Sequence, residues 1–199
     1  MVEHIILASG STARQEMLAR AGVAFGVRPA RVDETAIKAA LLAEGLAPFD
    51  IADALAEAKA VQVSNRNADV AVIGSDQVLE FDGVIFDKPK DMDQARQHLK
   101  TLRGKRHRLL AAAVIAINGQ PVWRKVGVAR LEMKPFSDRF LDSYLARIGE
   151  DVLTTVGCYK LEDIGVRLFS AIEGDWFTIL GMPLIDVLGY LEQAGLLER

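Results

Sequence analysis

Apolar residues in this chain come in short runs and stripes, broken by polar and turn-forming residues at regular places. Ile5-Ile6-Leu7-Ala8 is unbroken and stops at Ser9-Gly10-Ser11, the pattern of a buried strand entering a turn. Ser11 predicts the N-cap of a helix running to about Ala21, which Gly22 ends. Arg14, Met17, Leu18 and Ala21 share one side of that helix, so Arg14 points along its buried face. A second helical pattern begins near Asp50, where Ile51, Leu55 and Lys59 follow at steps of four and place a lysine at the end of an apolar stripe.

From Val70 an apolar run reaches Phe81, turns at Asp82-Gly83 and returns through Val84-Ile85-Phe86, a two-residue hairpin signal. Asp91 followed by Gln94 predicts a capping box and a helix ending near Gly104. Leu109 to Ile117 reads as a buried strand, Asn118-Gly119 as a second hairpin turn and Val122 to Glu132 as its returning strand. Ser137 caps a helix with the stripe Phe140, Leu141, Tyr144, Leu145 and Ile148, ended by Gly149. Val166 to Leu180 reads as two strands around Glu173-Gly174-Asp175, with Trp176 and Phe177 expected in the core beside Phe140 and Tyr144. Pro183 suits the first turn of a last helix, ended by Gly195. The alternation of strands and helices predicts an α/β fold, and the lack of repeats or Pro/Ser-rich linkers predicts one domain over residues 1–199.

Composition narrows the function. Half of the residues are hydrophobic, enough for a full core at this length. A net charge of −3 gives no general attraction for nucleic acid or an anionic membrane, so a phosphate ligand would need a local cluster of cations. The longest wholly apolar run, Leu109 to Ile117, has nine residues, too few for a membrane-crossing helix. Glu3 stands where a signal peptide carries positive charge, and Cys158 is the only cysteine, so a reducing cytoplasm is the expected location.

Within these elements a few polar residues stand out. The Ser9-Gly10-Ser11 turn describes an ordinary capped helix as well as a phosphate cradle; Arg14 tips it toward phosphate, because a buried guanidinium needs an acceptor and phosphate meets it bidentately. Asp33-Glu34 fits a solvated turn or a cap, and Lys59 fits a side chain that merely snorkels past Leu55. Asp76 is different: a carboxylate following Val-Ala-Val-Ile in a strand is costly unless it is paired or binds a metal. Hairpin counting puts Lys88 opposite Gln77, on the face away from Asp76, unless a bulge or a kink at Gly74 intervenes. The segment 157–163 reads as a charged loop, and Cys158 has no histidine near it in sequence to make it a nucleophile.

Taken in order, Leu7-Ala8-Ser9-x-Ser11-x-x-Arg14, Val32-Asp33-Glu34, Ala58-Lys59-Ala60, Gly74-Ser75-Asp76-Gln77, Asp87-Lys88-Pro89, Gly157 to Gly165 and Ile179-Leu180-Gly181-Met182-Pro183-Leu184 resemble the Maf family of nucleoside triphosphate pyrophosphatases over nearly the whole chain. The resemblance implies a two-lobed mixed β-sheet with flanking helices, similar to inosine triphosphatases, with nucleotide in the cleft between lobes. It implies cleavage between the α and β phosphates, giving a nucleoside monophosphate and pyrophosphate and clearing unwanted nucleotides from the pool. Asp76 matches the catalytic base and Glu34 an active-site acid, while Ser9, Arg14, Lys59 and Lys88 match residues around the phosphates, with Ser11 in the same binding turn. Such cations would stabilise charge as pyrophosphate leaves. A carboxylate is a weak base at neutral pH, so a divalent cation, Mg²⁺ or Mn²⁺, on Glu34 and Asp76 is the expected cofactor.

Three positions carry the family's substrate differences, filled here by Ala13, Gln77 and Glu162. Gln77 and Glu162 look like the branch acting on 7-methyl-GTP rather than the branch acting on dTTP and UTP. Ala13 departs from both, which carry Trp and Arg there, and Thr12 replaces the usual Pro. The expected partner is a nucleoside triphosphate, with no nucleic acid or membrane, and the resemblance suggests a homodimer. The alternative is a nucleotide-binding regulator of cell division, since the family name is associated with septum formation. It would bind without turnover.

Overall fold

The computed structural model describes residues 4–198, so Glu3 lies outside the described residues. The elements run β1 (Ile5–Leu7), α1 (Thr12–Arg20), β2 (Gly26–Val27), α2 (Glu34–Ala43), α3 (Pro48–Ser64), β3 (Ala71–Phe81), β4 (Val84–Phe86), α4 (Met92–Leu102), β5 (Arg106–Ile117), β6 (Gln120–Met133), α5 (Asp138–Ile148), β7 (Phe169–Glu173), α6 (Trp176–Leu180) and α7 (Leu184–Gln193). Two 3₁₀ turns, Gly149–Thr154 and Ile164–Leu168, lie between α5 and β7. The strands form a mixed sheet in the order β2-β1-β3-β5-β6-β7, with β4 paired to β3. Strand β1 is parallel to β2 and β3, whereas β3–β4 and β6–β7 are antiparallel. No helix among the described residues is long and apolar enough to cross a membrane.

The chain divides into two compact units. The first holds residues up to Gln77, Ala111–Gly127 and residues from Asp175 on. Its strands are covered on both faces, which is why β1 is apolar at every position rather than at alternate ones. Ile5, Leu7, Ala71 and Ile73 face a layer that includes Met17 and Leu18 of α1 and Val187 and Leu191 of α7. Ile6, Ala8 and Val72 face the other way and meet Val63 of α3. This alternation matters downstream, because it continues along β3 into Gly74, Ser75 and Asp76.

The second unit, Val78–Leu110 and Val128–Gly174, packs the buried stripes of α4 (Ala95, Leu99, Leu102) and α5 (Leu141, Tyr144, Leu145). Arg96 bonds Asp142 and Arg103 bonds Asp138 between those helices. His107 Nε2 lies 2.8 Å from the Tyr159 hydroxyl, and both residues are buried. Burial lowers the His107 pKa to about 4, although the charge of Glu80 opposes the shift. Glu80 is itself buried; desolvation alone would raise its pKa, but hydrogen bonds from Arg108 and the Gly83 N–H hold it below the ordinary value. Cys158 is fully buried, with its carbonyl accepting the Tyr144 hydroxyl, and burial pushes its thiol up to about 12.

Several expectations hold closely. Ser11, Asp91 and Ser137 cap their helices, and both two-residue turns, Asp82-Gly83 and Asn118-Gly119, have positive φ throughout. Others are corrected. The segment from Val166 to Leu180 is not two strands: after β7, Asp175 accepts the Phe177 and Thr178 N–H groups and starts helix α6, which is five residues long, too short to show a helical period. Trp176, in the first turn of α6, is 46% exposed rather than in the core, and Phe140 is half-buried. The acids Asp33-Glu34 open an unforeseen helix, α2, with Asp33 as its cap. Gln94 accepts from the Lys90 N–H, so the reciprocal half of the capping box is displaced by one residue. Strand β4 ends at Phe86, which leaves Lys88 beyond the last paired residue.

Candidate active site

The end of β3 in the first unit presents Gly74, Ser75, Asp76 and Gln77 to alternate faces of the sheet. Gly74 points toward α3, and a Cβ there would run into the Ala56 carbonyl and the Ala60 backbone. Glycine at this position therefore lets the helix close onto the strand. Lys59 lies between those two alanines. Its Nζ sits 2.7 Å from Asp76 Oδ1, two residues along the same face of the strand, and 3.0 Å from Glu34 Oε1 at the start of α2. The Lys59 and Asp76 side chains are only 10% and 9% exposed, whereas Glu34 is 52% exposed, so the buried pair opens to solvent through Glu34. Three residues that are ambiguous in isolation thus form one network. Asp76 Oδ2 and Glu34 Oε2 accept no hydrogen bond from the described residues.

Ser75 and Gln77 take the opposite face. Ser75 Oγ donates to the carbonyls of Ala112 (2.8 Å) and Gly181 (3.1 Å), and the Gln77 amide donates to the carbonyls of Thr178 and Ile179, each at 3.0 Å. These carbonyls accept only, so they fix the orientation of the Gln77 amide. Arg14, from the first turns of α1, reaches the same place: Nε donates to Gly181 O (2.9 Å) and Nη1 to Ser75 O (3.0 Å) and Ser9 Oγ (3.2 Å). Partial burial lowers the Arg14 pKa, while Asp76 and Glu34 act against that shift. The expected anionic partner of Arg14 is replaced here by two carbonyls and a hydroxyl, which use Nε and Nη1 and leave Nη2 without an acceptor among the described residues. Ser9 Oγ also accepts the Ser11 N–H, so both serines of the opening turn belong to this cluster.

Sequence reasoning missed Ser75 and Gly181. Gly181 closes α6 with φ +116°, a conformation costly for other residues, and its carbonyl receives both Arg14 and Ser75. The signal was Gly181 standing just past a short apolar segment, the place of a C-cap. Ala13 is half-buried on α1. Lys88 and Glu162 lie in the second unit, both exposed.

Two carboxylates with spare oxygens suit a hard divalent cation, which is commonly held by one or two carboxylates together with water and substrate phosphates. Charge points the same way. Lys59, Asp76 and Glu34 together carry one net negative charge, which the nearby Arg14 only neutralises, whereas a bound dication would make the cluster attractive to a polyphosphate. No group of three or more His, Cys, Asp or Glu side chains capable of holding a metal exists among the described residues.

Comparison with known proteins gives the family. The family model described as Maf-like protein matches residues 4–194. A nucleoside triphosphate pyrophosphatase from Ruegeria sp. (strain TM1040) is 52% identical over the full length of both chains, and one from Caulobacter vibrioides is 52% identical over 97% of this chain and 96% of its own. A 7-methyl-GTP pyrophosphatase from Rhizobium meliloti is 45% identical over 98% of each. The chain belongs to the Maf family.

Proposed function

We propose that this protein is a nucleoside triphosphate pyrophosphatase, and that the observation carrying this reading is the buried Lys59–Asp76 pair opened to solvent by Glu34. The names of full-length relatives at about half identity support the same activity. Water attacks the α phosphorus, the bond from that phosphorus to the oxygen bridging it to the β phosphate breaks, and pyrophosphate leaves with the electron pair. The Asp76 carboxylate, fixed through Oδ1 by Lys59, takes the water proton as general base. Arg14 Nη2 and the Ser9-Gly10-Ser11 turn receive phosphate oxygens, and Lys88 adds a second lysine to the developing charge. Glu34 and Asp76 are the residues that would hold Mg²⁺ or Mn²⁺, which when bound supplies Lewis-acid activation and charge neutralisation.

The preferred substrate is a purine triphosphate of the 7-methyl-GTP kind. Gln77, its amide committed to the carbonyls of α6, presents only the acceptor Oε1, and Glu162 adds a carboxylate acceptor for guanine N–H donors. The small Ala13 leaves the base without a stacking side chain, which broadens the range accepted. The setting is the cytoplasm, where such triphosphates form. Binding without turnover, as a regulator of septum formation, has no support in the relatives' names.

The test is product identity. Purified protein with Mg²⁺ or Mn²⁺ and 7-methyl-GTP is expected to release pyrophosphate and the monophosphate; orthophosphate as the first product would overturn the assigned cleavage. Asp76→Asn keeps an oxygen for Lys59 and is expected to leave the melting temperature within a few degrees while lowering kcat by about 10²-fold or more. A near-wild-type kcat would remove Asp76 from the role of base.

A further inference from the structure

A second concentration of positive charge lies in the first unit, outside the Lys59 network. A cavity of about 380 Å³ is lined by Arg28, Arg31 and Arg66 with the amides of Gln62 and Asn67, and no carboxylate among the described residues contributes to its wall. Its frame is ordered by hydrogen bonds. The Gln62 side chain grips the Arg31 backbone at both ends, accepting from its N–H at 2.6 Å and donating to its carbonyl at 2.7 Å. Arg28 is anchored through its own N–H to the Leu7 carbonyl and through its guanidinium to Asn67 Oδ1 at 2.7 Å. Asn67 is fixed in turn by donation to the Val63 carbonyl. Arg31 and Arg66 form no ion pair with any described residue.

From this we infer a second ligand site, for a polyphosphate anion: pyrophosphate, or the phosphate tail of a nucleotide. Arg31 and Arg66, which no described carboxylate neutralises, repel one another at this cavity unless an anion joins them, and Arg presents paired donors that match phosphate oxygens. The cavity adjoins the C-terminal end of α3, whose dipole contributes a partial negative charge of roughly half a unit. The two full positive charges of Arg31 and Arg66 outweigh it. The volume is at the small end of ligand sites, large enough for a diphosphate but confining for a whole nucleotide. None of the residues of the Lys59 network lines this cavity, so the inference stands whether or not the reaction proposed above is correct.

The experiment is calorimetric titration of the full-length protein with pyrophosphate in metal-free buffer, on wild type, Arg31→Gln/Arg66→Gln and Arg14→Gln. Wild type and Arg14→Gln are expected to bind one equivalent, and the Arg31/Arg66 double variant to bind at least tenfold more weakly at an unchanged melting temperature, with kcat on saturating triphosphate within twofold of wild type. Orthophosphate is expected to bind at least tenfold more weakly than pyrophosphate; equal affinity would overturn a polyphosphate site. A nucleoside triphosphate that binds like pyrophosphate identifies the free phosphates as the ligand, and one that binds more tightly identifies a nucleotide. If the double variant titrates like wild type, or if Arg14→Gln abolishes binding, the anion sits elsewhere and the inference fails.

Discussion

Gly74 is the residue on which the candidate chemistry turns, although it has no side chain. The strand could carry Asp76 and the helix could carry Lys59 without the two ever meeting; their contact depends on α3 lying against β3 closely enough that a methyl group has no space. Gly74→Ala is therefore expected to cost about 1–3 kcal/mol by overpacking, read as a lower midpoint in urea unfolding. It should also lower kcat by at least tenfold, because relief comes by moving α3 and Lys59 with it. A variant that unfolds earlier yet turns over at the wild-type rate would show that the close approach serves packing alone.

Among the α-helices, α6 is the shortest and has the least intrinsic stability, yet it has much of the positional control. Five residues do not sustain a helix in isolation. Its Thr178, Ile179 and Gly181 carbonyls nonetheless receive Gln77, Arg14 and Ser75, so the cap at Asp175 orders groups around the site. Asp175→Ala removes the acceptor for two N–H groups and is expected to cost about 1–2 kcal/mol in urea unfolding. KM for triphosphate should rise severalfold as Arg14 loses its rigid seat. These elements also show what a sequence discloses. The Asp82-Gly83 and Asn118-Gly119 hairpins were legible because their positive φ is a local demand met by local residues. Helix α6 was not, since its length hides any period, and α2 passed for a loop because its acids read equally well as turn or cap. Asp76 stood out as an acid in an apolar strand; that its partner is Lys59 was invisible, because the contact spans 17 residues and depends on packing. The carbonyls that receive Arg14 were hidden for the same reason, the farthest being 167 residues away.

At the scale of the whole molecule, stability should respond to acid through the second unit. His107 is neutral and buried, its Nδ1 without a hydrogen-bond partner among the described residues, and its pKa lies near 4 against 6.5 when exposed. Below pH 6.5 the unfolded chain takes up a proton that the folded chain refuses until about pH 4, so stability falls as pH falls across that window and is unaffected by this group above it. The full loss is about 3 kcal/mol. His98, also held below its ordinary value by burial, contributes in the same direction. Glu80, whose pKa is lowered, withdraws its stabilisation further down as it protonates. Urea unfolding at several pH values should show the decline, and His107→Gln should flatten it. An equal slope in both proteins would assign the acid sensitivity to other groups.

The single cysteine, sealed in the second unit with its thiol pushed up to about 12, turns the molecule into its own timer. A thiol that is both protonated and covered does not react with an alkylating reagent, so each labelling event records one excursion in which that unit has opened. Because the chain contains no other cysteine, the mass added is one reagent per molecule and needs no assignment. At low reagent the labelling rate is expected to follow the population of the opened form, and at high reagent to level off at the opening rate itself. Labelling of native protein as fast as an unfolded control would show that the thiol is not enclosed. The opening of the second unit can thus be timed chemically, with no probe introduced.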